Sequence, residues 1–126
     1  MNNIVYELKN GKGLIKEYNY HGKLEFEGEY LNGKRNGKGK EYYPNYNLMF
    51  EGEFLNGKRW KGKGYNYFRK EEFEIKDGKG FVREFDNKGA LISEGKYLNG
   101  NRIKGEFYDY EGKLIFINKY LLSEKN

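Results

Sequence analysis

The sequence predicts an all-β chain of tandem antiparallel hairpins, and three observations carry that prediction. The first is a repeated sentence. Phe26-Glu27-Gly28-Glu29-Tyr30-Leu31-Asn32-Gly33-Lys34-Arg35 returns as Phe50-Glu51-Gly52-Glu53-Phe54-Leu55-Asn56-Gly57-Lys58-Arg59, and again as Ser93-Glu94-Gly95-Lys96-Tyr97-Leu98-Asn99-Gly100-Asn101-Arg102. A fixed period of this size marks a repeat array. The second is punctuation. Asn-Gly or Asp-Gly stands at 10–11, 32–33, 56–57, 77–78 and 99–100, and a type I′ corner needs positive φ at both central residues. The third is composition. Charged residues make up 34% of the 126, yet 18% are aromatic, and disordered segments are poor in rings. With 18 Gly, no helix is convincing.

These corners place hairpins near 4–18, 24–43, 48–68, 71–85 and 91–108, with a terminal strand at 113–121, so 1–126 reads as one array. The first hairpin holds Leu8-Lys9-Asn10-Gly11-Lys12-Gly13-Leu14-Ile15-Lys16-Glu17-Tyr18. The fourth holds its echo, Ile75-Lys76-Asp77-Gly78-Lys79-Gly80-Phe81-Val82-Arg83-Glu84-Phe85. In the second hairpin, counting outward from Asn32-Gly33 sets Tyr30 against Arg35, Gly28 against Gly37 and Phe26 against Gly39. Glu27 then meets Lys38 and Glu25 meets Lys40, as cross-strand ion pairs. One face carries rings and glycine, the other Glu and Lys. Bare glycine weakens a strand, and a ring laid over it compensates.

The third hairpin has one extra residue, so a bulge near Trp60 sets Gly52 against Gly62, Glu51 against Lys63 and Phe50 against Gly64. The fifth has the same insertion at Ile103-Lys104, which puts Glu94 opposite Glu106, a like-charge pair. The links Asn19-Tyr20-His21-Gly22-Lys23-Leu24, Asp86-Asn87-Lys88-Gly89-Ala90-Leu91 and Asp109-Tyr110-Glu111-Gly112-Lys113-Leu114 match one another. In the last strand Ile115 and Ile117 replace polar positions, as a capping repeat does. Tyr120-Leu121-Leu122-Ser123-Glu124 is expected as a tail over the last rings.

The pattern resembles the MORN repeat (membrane occupation and recognition nexus). Its aromatic, Gly, aromatic, Asn-Gly-Lys and Gly-x-Gly positions correspond to Phe26, Gly28, Tyr30, Asn32-Gly33-Lys34, Gly37 and Gly39. The next copy gives Phe50, Gly52, Phe54, Asn56-Gly57-Lys58, Gly62 and Gly64. The third departs, with Ser93 for the first aromatic and Phe107 for the second Gly. The resemblance implies a single-layer curved antiparallel sheet of about 10 or 11 strands, a half-pipe. It also implies scaffolding, docking or phosphoinositide-membrane binding. Some similar arrays carry an antitoxin label, which implies blocking of a partner.

The remaining features bound the function. No Cys is present, so thiolate metal sites and disulfides are excluded. Met1-Asn2-Asn3-Ile4-Val5 has no signal-peptide pattern, and Leu114-Ile115-Phe116-Ile117 is far short of the ~20 apolar residues of a spanning helix. A cytoplasmic chain, at most peripheral to a membrane, is expected. The single His21 sits in a link turn with no clustered ligands. Glu27 with Glu29, and Glu51 with Glu53, face Lys and read as an ion-pair ladder. The Gly-Lys-Gly triplets lack the helix of a phosphate loop. A non-enzyme without cofactor or metal is expected.

Two residue groups are candidates for contact. Trp60, flanked by Arg59 and followed by Tyr65, Tyr67 and Phe68, is the candidate partner-binding patch on an aromatic face or groove, because Trp and Arg are enriched in hot spots. Trp60 also suits a bulge filler packed on a neighbouring hairpin. Lys34, Arg35, Lys58, Arg59, Lys61 and Arg102 gather at hairpin ends and are the candidate anion or acidic-phospholipid row. Net charge is only +5 and Glu nearly matches Lys, which disfavours nucleic acid. A protein partner is the leading expectation, and unpaired outer strands invite a homodimer.

Overall fold

A computed structural model describes residues 3–9, 12–109 and 111–118. All regular structure among them is β. The strands are β1 (Asn3–Lys9), β2 (Lys12–Tyr18), β3 (Leu24–Leu31), β4 (Lys34–Tyr42), β5 (Leu48–Leu55), β6 (Lys58–Tyr65), β7 (Glu71–Ile75), β8 (Gly80–Phe85), β9 (Leu91–Leu98), β10 (Asn101–Tyr108) and β11 (Leu114–Asn118). Within β1–β7 and within β8–β11 each strand pairs antiparallel with its sequence neighbour, and the sheets do not close into a barrel. The expected Asn10-Gly11 corner and the tail at 120–124 lie outside the described residues.

The Asn-Gly and Asp-Gly corners adopt the conformation their residues favour. Asn32, Asn56, Asp77 and Asn99 all have positive φ, as do the glycines that follow them. Three of these corners also donate a backbone bond to the preceding hairpin. The Gly57 amide donates to the Arg35 carbonyl at 2.8 Å, Gly78 to Trp60 at 2.8 Å, and Gly100 to Gly78 at 2.9 Å. The hairpin tips therefore form a bonded edge, which satisfies backbone groups that a lone hairpin leaves to water.

Two expectations need correction. Gly28 pairs with Gly39, not Gly37, and Glu27 with Lys40, not Lys38. The cause is a bulge at Asn36-Gly37. Gly37 takes φ +105, and the Glu29 carboxylate fills the space a Cβ would need there while accepting from the Lys38 amide at 3.1 Å. Asn36 Oδ1 in turn accepts from the Asn56 amide at 2.9 Å. The single sheet is also divided. β1–β7 form one ladder and β8–β11 another, with a single backbone bridge, Lys76 to Lys79, between β7 and β8 among the described residues. The Trp60 bulge and the pairings of Gly52 with Gly62 and Phe50 with Gly64 stand as expected.

The core crosses the division. Phe26, Phe50, Phe54, Phe73, Ile75 and Val82 are all buried and contiguous, with Tyr30 and Tyr97 packed beside them. Phe26 meets Phe54 edge-on at 5.3 Å between centroids, and Phe50 meets Phe54 at 5.6 Å. Such geometries add attraction beyond area burial. The rings lie over glycine as expected: Phe73 covers Gly64, and Phe26 and Phe54 cover Gly39.

Candidate functional site

The ring face cannot be solvated as a bare single layer, and the sequence supplies its cover. Arg35, Arg59 and Arg102 begin their strands beside an aromatic, and each guanidinium lies over rings. Arg35 sits 4.0 Å from the Phe26 centroid, Arg59 5.0 Å from Phe50, and Arg102 4.7 Å from Phe107. Each is bound by a glutamate eighteen residues earlier. Arg35 grips Glu17 in a two-point fork, both contacts at 3.0 Å. Arg59 Nε donates to Glu41 at 2.6 Å, and Arg102 Nη2 to Glu84 at 2.7 Å. Glu41 also takes Arg35 at 3.2 Å, and Glu84 takes Arg59 at 3.7 Å. Glu17, Arg35, Glu41, Arg59, Glu84 and Arg102 thus alternate in one ladder across the core.

Charge in this ladder is held by neighbours. Burial would push the Glu17 carboxyl up, but hydrogen bonds from Arg35 and Tyr30 outweigh it and hold it below the usual glutamate range. The Tyr30 hydroxyl donates to Glu17 at 2.5 Å. The ladder runs thin at its last member. Ser93 replaces the repeat's first aromatic there and accepts from Arg102 at 3.1 Å. Arg102 Nη1 is buried without a hydrogen bond among the described residues.

The opposite face is charged in stripes, one sign per strand. Across β2–β7, Lys16, Glu27, Lys40, Glu51, Lys63 and Glu74 are successive cross-strand neighbours. Lys38, Glu53 and Lys61 form a second such row. Over β2–β5 this face is hollowed into a trough of about 880 Å³, lined by Leu14, Lys16, Glu27, Lys38, Lys40, Glu51 and Glu53 with backbone at Gly28, Gly39 and Gly52.

A family comparison fits this geometry. The MORN repeat family model matches residues 26–48 and 50–60, a segment that runs from β3 to the start of β6 and holds Arg35, Glu41 and Arg59 of the ladder. Residues 26–60 are similar to MORN repeats. No curated protein and no solved structure matches it. MORN repeats are generally protein- or membrane-binding modules, and the family is typically non-enzymatic.

The residues singled out from sequence do not form one cluster. Trp60 stands near the start of β6, and Phe68 lies beyond its end in the turn to β7. Trp60 packs at the corner edge, where a Cβ on Gly78 would come 2.7 Å from its Cζ3. Arg59 lies inside, its side chain 14% exposed. Tyr65 gives its carbonyl to the Tyr43 hydroxyl at 2.8 Å. Burial pushes that hydroxyl up to about 12. Tyr67 meets Tyr43 and Phe68 edge-on at 5.4 and 5.6 Å, and Phe68 is 66% exposed. Of the anticipated anion row, Lys34, Lys58 and Lys61 are exposed, whereas Arg35, Arg59 and Arg102 are spent on the ladder. The expected groove of rings is instead the closed core, because the guanidinium groups cover it.

The glutamates of the ladder escaped the sequence reading. Their signal was present: Glu17-Tyr18, Glu41-Tyr42 and Glu84-Phe85 each place Glu before an aromatic at a strand end, at one constant distance from an arginine. Glu94, which faces Glu106 as expected, accepts from Arg83 on the other side at 3.1 Å and from the Tyr108 hydroxyl at 2.8 Å. Among the described residues no group of three His, Cys, Asp or Glu could hold a metal, and no helix is long and apolar enough to cross a membrane.

Proposed function

We propose that this chain is a non-enzymatic binding module that seats a protein segment on the charged face of β2–β5. The single observation behind this reading is the trough of about 880 Å³, within the usual size of a binding cleft. Its central ion pair is loose. Lys40 and Glu51 lie 3.8 Å apart and are each about half exposed, so their mutual attraction is small. Stripes of alternating sign fix the register of a partner that carries charges of its own. Leu14, 66% exposed on one wall, offers an apolar anchor. The ring face is closed by the ladder and leaves recognition to this side.

The test exchanges charge without removing it. Lys40→Glu combined with Glu51→Lys keeps the cross-strand pair and inverts the pattern of the trough. Affinity capture from source cells with the wild-type chain is expected to retain a protein that the exchanged chain loses. Equal retention by both would remove the trough as the site. Salt-sensitive sedimentation with phosphatidylserine vesicles, lost in Lys34→Ala with Lys58→Ala, would put a membrane in the protein's place.

A further inference from the structure

The charge pattern changes at the division of the sheet. Across β2–β7 Lys16, Lys38, Lys40, Lys61 and Lys63 each face a Glu. Across β8–β10 charges sort by row instead. One row reads Phe81, Lys96, Lys104, and the next reads Arg83, Glu94, Glu106. Lys76 also faces Lys79 at the neighbouring corner. Like charges set directly opposite destabilise a sheet. The Glu94–Glu106 pair is relieved by Arg83 and Tyr108. The lysines have no such relief: Lys76, Lys79, Lys96 and Lys104 are all exposed, and no carboxylate among the described residues comes within ion-pair distance of them. Phe81, 54% exposed, stands in the same row.

From this we infer that the outer face of β8–β10 is a docking site for an acidic protein segment carrying an apolar side chain. Four unpaired ammonium groups supply the electrostatic complement, and Phe81 supplies the apolar contact. The patch is compact. Three strands at ~4.8 Å spacing span about 10 Å, Lys76 and Lys79 stand at the adjoining corner, and Glu94, Glu106 and Asp77 bound the patch. A nucleic-acid backbone or a lipid leaflet carries continuous negative charge and would meet those carboxylates as well. A peptide can place two to four carboxylates over the lysines and no charge beyond them. The site is separate from the trough on β2–β5, so the two proposals fail independently.

The experiment uses the full chain and a fluorescent peptide, Glu-Glu-Leu-Glu-Glu, read by anisotropy at low and moderate salt. The same peptide with Gln for Glu is the control, and a ten-nucleotide oligouridylate and phosphatidylserine vesicles are the competing probes. The acidic peptide is expected to bind, with affinity falling as salt rises, and the Gln peptide is not. Lys96→Gln with Lys104→Gln is expected to weaken binding at least tenfold. Lys104→Glu alone is expected to do the same while raising the melting temperature, because it turns a repulsive pair into an attractive one. That combination separates a docking role from a structural one. The Lys40→Glu, Glu51→Lys chain is expected to bind the peptide as the wild type does. No salt-sensitive binding, binding unchanged by the Lys96 and Lys104 substitutions, or binding of oligouridylate or vesicles in preference to the peptide would overturn the inference.

Discussion

Arg59 Nε meets Glu41 Oε1 at 2.6 Å across eighteen residues of sequence, with the guanidinium laid over Phe50. The same separation joins Glu17 to Arg35 and Glu84 to Arg102. A repeat array gains stability from nearest-neighbour interfaces, and here each interface is an ion pair set on a layer of rings. Taking charge out of water is costly unless the partner geometry is good. The two-point fork at Glu17 and the sharing of Glu41 between Arg35 and Arg59 provide that geometry.

Glu41→Gln is expected to destabilise the fold by about 2–4 kcal/mol, because it leaves Arg59 buried beside a neutral amide. Glu51→Gln, on the open face, is expected to cost roughly 0–1 kcal/mol. Urea unfolding followed by circular dichroism measures both. Equal shifts in midpoint would deny the ladder its special standing.

Acid should strip the ladder from its Glu17 end. The folded Glu17 carboxyl titrates below its ordinary range. Such a group stabilises the fold above its unfolded value, about 4.3, and loses that contribution as pH falls through the lower folded value. Tyr30→Phe removes one of the bonds that depress it. The Glu17 titration, read from its carboxyl carbon by NMR, should move upward, and acid unfolding should begin at higher pH. An unchanged titration would mean that the Tyr30 bond does not act on the carboxylate.

Two glycine substitutions should differ sharply. A Cβ on Gly52 would strike the Lys61 carbonyl and lie 2.6 Å from Gly62 Cα, so Gly52→Ala forces two strands apart. Gly57 has φ +87 and open space around it, so Gly57→Ala costs about 1–2 kcal/mol of backbone strain. Thermal melts should place Gly52→Ala well below Gly57→Ala. The reverse order would contradict the close strand approach.

The corners, the Trp60 bulge and the ring-over-glycine packing were legible because each rests on local chemistry: positive φ at Asn-Gly, one surplus residue, and the absence of Cβ. The Asn36-Gly37 bulge was not, since it depends on the Glu29 carboxylate reaching the Lys38 amide. The inward turn of Arg35, Arg59 and Arg102 was hidden for a similar reason. Beside exposed Lys34 and Lys58 they read as one basic row, and only the eighteen-residue spacing to glutamate sets them apart. The trough is shared by four adjacent strands, β2–β5, and no single residue encodes it.

A double-mutant cycle on Glu41 and Arg59 tests the ladder most directly. Glu41→Leu and Arg59→Met are made singly and together, and unfolding free energies are compared in urea. The double substitution is expected to cost less than the two singles combined, by about 2 kcal/mol or more. Additivity within about 0.5 kcal/mol would contradict the claim that this pair closes the ring face.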